Sequence, residues 1–127
     1  KMIARRRGAW ESVYLGADAT VLEGTTSNVF AVERGRLITP PLHGILPGVT
    51  RHVVTTLAKR AGVDVVERRL PRRQLLAADE VLLTASTIEV LPVVRVEKTR
   101  IGSGRPGPVT RALQERYREH VIRTLRR

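Results

Sequence analysis

The chain has 127 residues, 42% of them apolar, which suits one domain able to bury a real core. It has no cysteine, so disulfides and thiolate metal sites are excluded, and no apolar run approaches the roughly 20 residues needed to span a bilayer. The formal net charge of +11 raises nucleic acid as a partner, yet the arginines lie in short, scattered runs, and one Phe, one Trp and two Tyr make a poor base-stacking platform. A solvated basic surface accounts for the charge better; the basic start is followed by no apolar signal-peptide segment, which gives secretion no support, and the lack of cysteine fits a cytoplasmic protein with no membrane partner.

In chain order, residues 2–7 read as the tail of a helix closed by Gly8, so the chain is expected to be a fragment. Residues 10–15 alternate like a strand, 16–19 turn, and 20–22 start the next strand. Residues 23–27 turn, 28–33 extend again, and Arg34-Gly35 is a hairpin signal leading into 36–39. Short strands joined by tight turns suggest an antiparallel meander in this half. Pro40-Pro41 breaks the pattern. From Val49 the apolar positions Val53, Val54, Leu57, Ala58 and Ala61 recur at helical spacing and Gly62 stops them, which predicts a helix over 48–61. Residues 63–68 read as a strand, 71–76 as a short helical turn, and 80–84 as another strand. The stretch 88–96 is extended, with Pro92 placing part of it at an edge or bulge. After the loop 102–107, Val109, Leu113, Tyr117, Val121 and Leu125 mark a terminal helix.

Three stretches carry the chemistry. Leu22-Glu23-Gly24-Thr25-Thr26-Ser27-Asn28-Val29-Phe30 sets one carboxylate in a small polar turn between two apolar runs. Taken alone, such a carboxylate is an ordinary solvated turn residue, and Asn28 is as readily a turn residue bonding its own backbone. Gly44-Ile45-Leu46-Pro47-Gly48-Val49-Thr50-Arg51 reads as a loop feeding a helix N-terminus, where unpaired N–H groups and the helix dipole favour an anion. Pro47 has no N–H, so the donors fall to Gly48, Val49 and Thr50, with the Thr50 hydroxyl as an addition. Leu83-Thr84-Ala85-Ser86-Thr87-Ile88-Glu89-Val90 reads as a strand ending in hydroxyls. One carboxylate, one bank of backbone donors and one hydroxyl cluster are the equipment for holding a phosphorylated heterocycle. His43, His52 and His120 are too scattered for metal-ligand spacing.

These motifs, their order and the late Gly107-Pro108-Val109-Thr110 resemble the class IV (fold type IV) pyridoxal-phosphate enzymes, which include branched-chain and D-amino-acid aminotransferases and aminodeoxychorismate lyase. The likeness covers nearly the whole chain but only the C-terminal part of such an enzyme. It implies an α/β fold, a mixed barrel-like sheet with flanking helices, with 1–8 as the end of a linking helix and 9–127 as the C-terminal cofactor-binding domain. It also implies pyridoxal 5′-phosphate as cofactor, amino acid and 2-oxo acid substrates, a missing N-terminal domain as partner, and a homodimer.

Residue by residue, the resemblance puts Glu23 beside the pyridine nitrogen, where a carboxylate holds the ring's proton. Asn28 would support that carboxylate, and Leu46 would pack against the cofactor. Gly48, Val49 and Thr50 would hold the phosphate, while Ser86 and Thr87 would sit near the phosphate and the substrate carboxylate. The family's Schiff-base lysine falls before residue 1. Lys1 matches a later helical position, and Lys59 and Lys98 read as solvated surface charges. The isolated chain is therefore expected to be inactive. Gly107-Pro108-Val109-Thr110 resembles the branched-chain enzymes, while Thr25-Thr26-Ser27 and Ser86-Thr87 lean towards the D-amino-acid group. Aminodeoxychorismate lyase and a non-catalytic binding or assembly module are the alternatives.

Overall fold

The structure, a computed structural model, describes residues 13–16, 18–24, 27–42 and 48–125. The expected tail of a helix over 2–7, the start of the strand at Trp10, and Leu46 lie outside these residues. Strands β1 (Val13–Leu15), β2 (Thr20–Gly24), β3 (Asn28–Glu33) and β4 (Arg36–Thr39) lead to helix α1 (Val49–Arg60). Then follow β5 (Val65–Glu67), β6 (Leu70–Pro71), α2 (Arg72–Leu76), β7 (Glu80–Ala85), β8 (Glu89–Val93), β9 (Arg95–Val96), β10 (Thr99–Arg100) and α3 (Pro108–Leu125).

Local chemistry explains most of these boundaries. Arg34 and Gly35 both take positive φ, 52° and 76°, which gives the two-residue hairpin that the twist of β3 and β4 favours. Helix α1 ends where Val63 N–H donates to the Ala58 carbonyl and Gly62 N–H to that of Lys59, the paired bonds of a left-handed helix stop. Lys59 and Arg60 in the last turn complement the negative end of the helix dipole. Because Val63 is spent on that stop, the strand expected over 63–68 shortens to β5.

The meander expected in the first half is interrupted. β2 belongs to a three-stranded sheet ordered β1-β2-β6, while β3 belongs to a five-stranded sheet ordered β5-β4-β3-β7-β8. The chain changes sheet between Gly24 and Ser27, whose N–H and carbonyl are joined at 2.8 Å. The turn also starts later than residue 23, because the ladder with β1 continues through the pairs Tyr14↔Glu23 and Val13↔Gly24. In the larger sheet β4 and β5 run parallel, with α1 as the crossover, and every other pair is antiparallel. Pro92 falls in the edge strand β8, where its missing N–H costs no ladder bond.

β3 is buried on both faces because two layers close on it. One face carries Val29 and Ala31, which pack with Ile38, Val81 and Leu83 against Val21 and Leu70 of the smaller sheet. The other carries Phe30 and Val32, which pack with Leu82 against Val54 and Ala58 of α1 and Leu113 of α3. The expected mixed sheet with flanking helices is thus present. Strand alternation puts Asn28 and Thr84, partners across the β3–β7 ladder, on the helix-covered face, at the end of the layer begun by Phe30 and Leu82.

The motif Gly107-Pro108-Val109-Thr110 turns out to be a helix start capped from another element. The buried Glu80 carboxylate of β7 accepts from Val109 N–H at 3.1 Å and Thr110 N–H at 2.8 Å. Gly107 is required there, since a Cβ would overlap the Glu80 carboxyl group. Pro108 occupies the first helical position, where no N–H is needed.

Candidate active site

The end of the large sheet opposite Glu80 gathers the sequence motifs. Helix α1 starts there at Gly48, with no side-chain cap and no acidic residue in its first turn. Its hydrogen-bond ladder opens with His52 N–H donating to the Gly48 carbonyl at 3.1 Å, which leaves the N–H groups of Val49, Thr50 and Arg51 outside the ladder. A helix end with free donors and no negative side chain favours an anion.

Asn28 fixes where that helix end stands. Its Oδ1 lies so close to Gly48 that a Cβ there would overlap it, so the backbone approaches β3 only because residue 48 is glycine. Thr50 stands one turn before Val54 on the inward face of α1, and Asn28 and Thr84 stand one strand repeat beyond Phe30 and Leu82. The three therefore form a polar layer at the end of the apolar one, and all are buried. The Thr84 hydroxyl is buried without a hydrogen-bond partner among the described residues. Beyond it, Ser86 and Thr87 are exposed in the turn joining β7 to β8, closed by Glu89 at φ 57°.

Glu23 comes to the same end by a different route. It is the penultimate residue of β2, half-buried, and alternation turns it to the side of Val21. The closed turn from Gly24 to Ser27 then leads directly into Asn28. Glu23, Ser27 and Asn28 are all engaged in polar contacts.

The structure thus brings Asn28, Gly48, Val49, Thr50, Ser86 and Thr87 to one sheet end, with Glu23 a short turn away. Thr84 is the member that the sequence placed only on the preceding strand. Its part in the polar layer depends on pairing with Asn28, 56 positions earlier. Lys59 and Lys98 are exposed on the last turn of α1 and in the β9–β10 hairpin. His52 is exposed and His120 lies 6.4 Å from the Tyr117 ring. Among the described residues no group of three His, Cys, Asp or Glu could hold a metal ion. None of the described helices is long and apolar enough to cross a membrane. A phosphate ester fits this donor set: free N–H groups at a helix start, hydroxyls opposite, and a carboxylate set back from them.

Comparison with known proteins gives the family. Residues 1–96 match the family described as Amino-transferase class IV. The chain is 43% identical over 119 residues to a probable branched-chain-amino-acid aminotransferase of Aquifex aeolicus, covering 92% of this chain and 38% of that protein. It also resembles the crystal structure of the Escherichia coli branched-chain amino acid aminotransferase, with TM-score 0.84 and 41% identity over 88% of this chain and 37% of the other. A crystal structure of the T.th. branched-chain amino acid aminotransferase complexed with N-(5′-phosphopyridoxyl)-L-glutamate matches with TM-score 0.85 and 38% identity, over 88% of this chain and 38% of that one. The chain therefore spans less than half the length of these relatives. With its family model matched over residues 1–96 and its fold shared with these enzymes, the chain belongs to the class IV aminotransferases.

Proposed function

We propose that the full-length protein transfers amino groups between a branched-chain amino acid and a 2-oxo acid with pyridoxal 5′-phosphate, and that this chain supplies one wall of the cofactor site. The observation that carries the reading is the meeting of three separate stretches, around Asn28, Gly48 and Thr84, at the uncapped start of α1. The names of the similar enzymes support the branched-chain assignment, as does the resemblance of Gly107-Pro108-Val109-Thr110.

In this reading the N–H groups of Val49 and Thr50 and the Thr50 hydroxyl hold the phosphate, with Gly48 allowing the backbone to come close. When bound, the cofactor supplies an electron sink for charge that develops at the substrate's α-carbon. Glu23 holds the proton at the pyridine nitrogen, and Asn28 supports that carboxylate. Ser86 and Thr87 donate to the phosphate and to the substrate carboxylate. Lys59 and Lys98 are exposed, with no burial to make either a good nucleophile. We infer that the reactive lysine comes from the part of the protein that precedes this chain, in an N-terminal domain of a dimeric, cytoplasmic enzyme.

The test is an absorbance titration of the full-length protein with pyridoxal 5′-phosphate, followed by assays with leucine, isoleucine, valine and D-alanine. Saturable binding and turnover of the three branched-chain donors support the proposal. Turnover of D-alanine alone would move the assignment to the D-amino-acid group, and absence of binding would remove the cofactor.

A further inference from the structure

Arginine is an unexpected residue in the first turn of a helix, because the positive end of the dipole repels it. Arg51 sits there in α1, yet it is only 6% exposed. Its side chain leaves the helix end and runs back to the sheet. One guanidinium nitrogen donates both to the Pro40 carbonyl, just past the end of β4, at 3.1 Å and to Glu67 on β5 at 2.7 Å. Its own carbonyl accepts from the Thr55 hydroxyl at 2.8 Å.

We propose that Arg51 is the positioning residue of the phosphate site, anchoring the first turn of α1 from the side so that its N–H groups can stay free for the ligand. The inference rests on the reading of this helix start as the phosphate site. A first turn with no side-chain cap frays easily, because none of its donors is tied down. A cap at Gly48 would tie them, but would occupy the donors that the anion needs. Arg51 resolves the conflict by fixing the same turn to β5 and to the chain just past β4 without using its N–H groups. The Arg51–Pro40 bond also ties the helix start to the chain just past β4. Glu67 is 51% exposed at its side chain, so water and salt weaken its charge, and the bond to the buried Pro40 carbonyl sets the direction of the guanidinium.

The anchor is tested in the full-length protein with Arg51→Met, Arg51→Lys, Glu67→Gln and, at the far end of α1, Arg60→Ala. Two quantities are read: the dissociation constant for pyridoxal 5′-phosphate, and amide hydrogen exchange at residues 49–51 in the ligand-free protein. Arg51→Met is expected to weaken binding by about tenfold or more, the order lost with one hydrogen bond to a charged group, and to speed exchange in the first turn. Arg51→Lys should recover part of both, and Arg60→Ala should change neither. Glu67→Gln keeps an acceptor for the guanidinium, so binding stays near wild type. Tighter binding there would mean that Arg51 acts through charge, and would overturn the anchor. So would wild-type affinity in Arg51→Met, or weaker binding without faster exchange. Should the Met variant fail to fold, Arg51→Lys decides: losses in both readings support the anchor, and wild-type values in both overturn it. Gly48→Val separates the two levels of the argument. Unchanged affinity in that variant removes the phosphate site and this inference with it. A loss there beside unchanged affinity in Arg51→Met overturns the anchor alone.

Discussion

The Oδ1 of Asn28 lies against the backbone of Gly48, at a separation that leaves no room for a Cβ on residue 48. A residue from the first polar turn thereby sets the position of the helix start that follows the second, 20 positions later. Gly48→Val should push α1 away from β3 and misdirect the free N–H groups. One lost hydrogen bond to a charged group is worth about 1.5–3 kcal/mol, so affinity for pyridoxal 5′-phosphate should fall by about 10- to 100-fold. Arg60→Ala, exposed at the other end of α1, should leave affinity unchanged. Equal affinities in the two variants, measured by fluorescence titration, would show that the phosphate is held elsewhere.

Glu23 should behave in the opposite way. A partner of the ring nitrogen affects the charge that the ring can accept much more than it affects the fold. Glu23→Gln in the full-length protein should retain bound cofactor and lose turnover by orders of magnitude. Near-normal turnover in single-turnover kinetics would take Glu23 out of the site.

The elements legible in the sequence are those whose cause lies within a few residues. Arg34-Gly35 carries its hairpin in its own backbone angles, and Gly62 with Val63 closes α1 through bonds to Lys59 and Ala58. The apolar spacing that predicted α1 placed each end within one residue of Val49 and Arg60. What escaped the sequence depends on distant partners. Nothing near Gly24 announces that the next strand joins another sheet, because that choice is made by β7, whose residues pair with those of β3 from 48 to 56 positions away. Glu80 looked like the first residue of a strand, and its service as a cap appears only when α3 is packed beside β7. The candidate site was legible as motifs for a related reason: each stretch carries its own donor or acceptor chemistry. The anchoring contacts of Arg51 were not, since they depend on Pro40 and Glu67, and the buried layer that the Thr84 hydroxyl joins depends on Asn28.

The Glu80 cap makes a stability prediction independent of any ligand. Its carboxylate is buried and takes two backbone N–H groups at the start of α3. Glu80→Ala should leave both donors unpaired and cost about 1–3 kcal/mol in urea unfolding. Gly107→Ala should also destabilise, because its Cβ meets the same carboxyl group. The two changes act on one contact, so the double variant should be more stable than the sum of the single losses implies. Strict additivity would show that Gly107 is not there to admit Glu80.

The remaining prediction concerns pH. Asp18 accepts from the Thr20 hydroxyl and pairs with Arg69 at 2.7 Å, while Arg69 Nε also donates to Thr20 at 2.8 Å. The hydrogen bond from Thr20 is the main reason that the Asp18 carboxyl is held below its ordinary value of 3.8, with the Arg69 charge adding to it and desolvation opposing. A carboxyl whose pKa is lower in the folded than in the unfolded chain favours folding when ionised. Its contribution is therefore complete above the unfolded value and disappears as pH falls through the folded one. Asp18→Asn should lower stability at neutral pH, and the gap from wild type should close as pH drops below about 3.8. The group is solvent-exposed, so added salt should shrink the gap at neutral pH as well. Urea unfolding between pH 7 and pH 2, at low and high salt, reads both effects. A gap that widens on acidification would reverse the sign of the argument and separate Asp18 from the Thr20–Arg69 network.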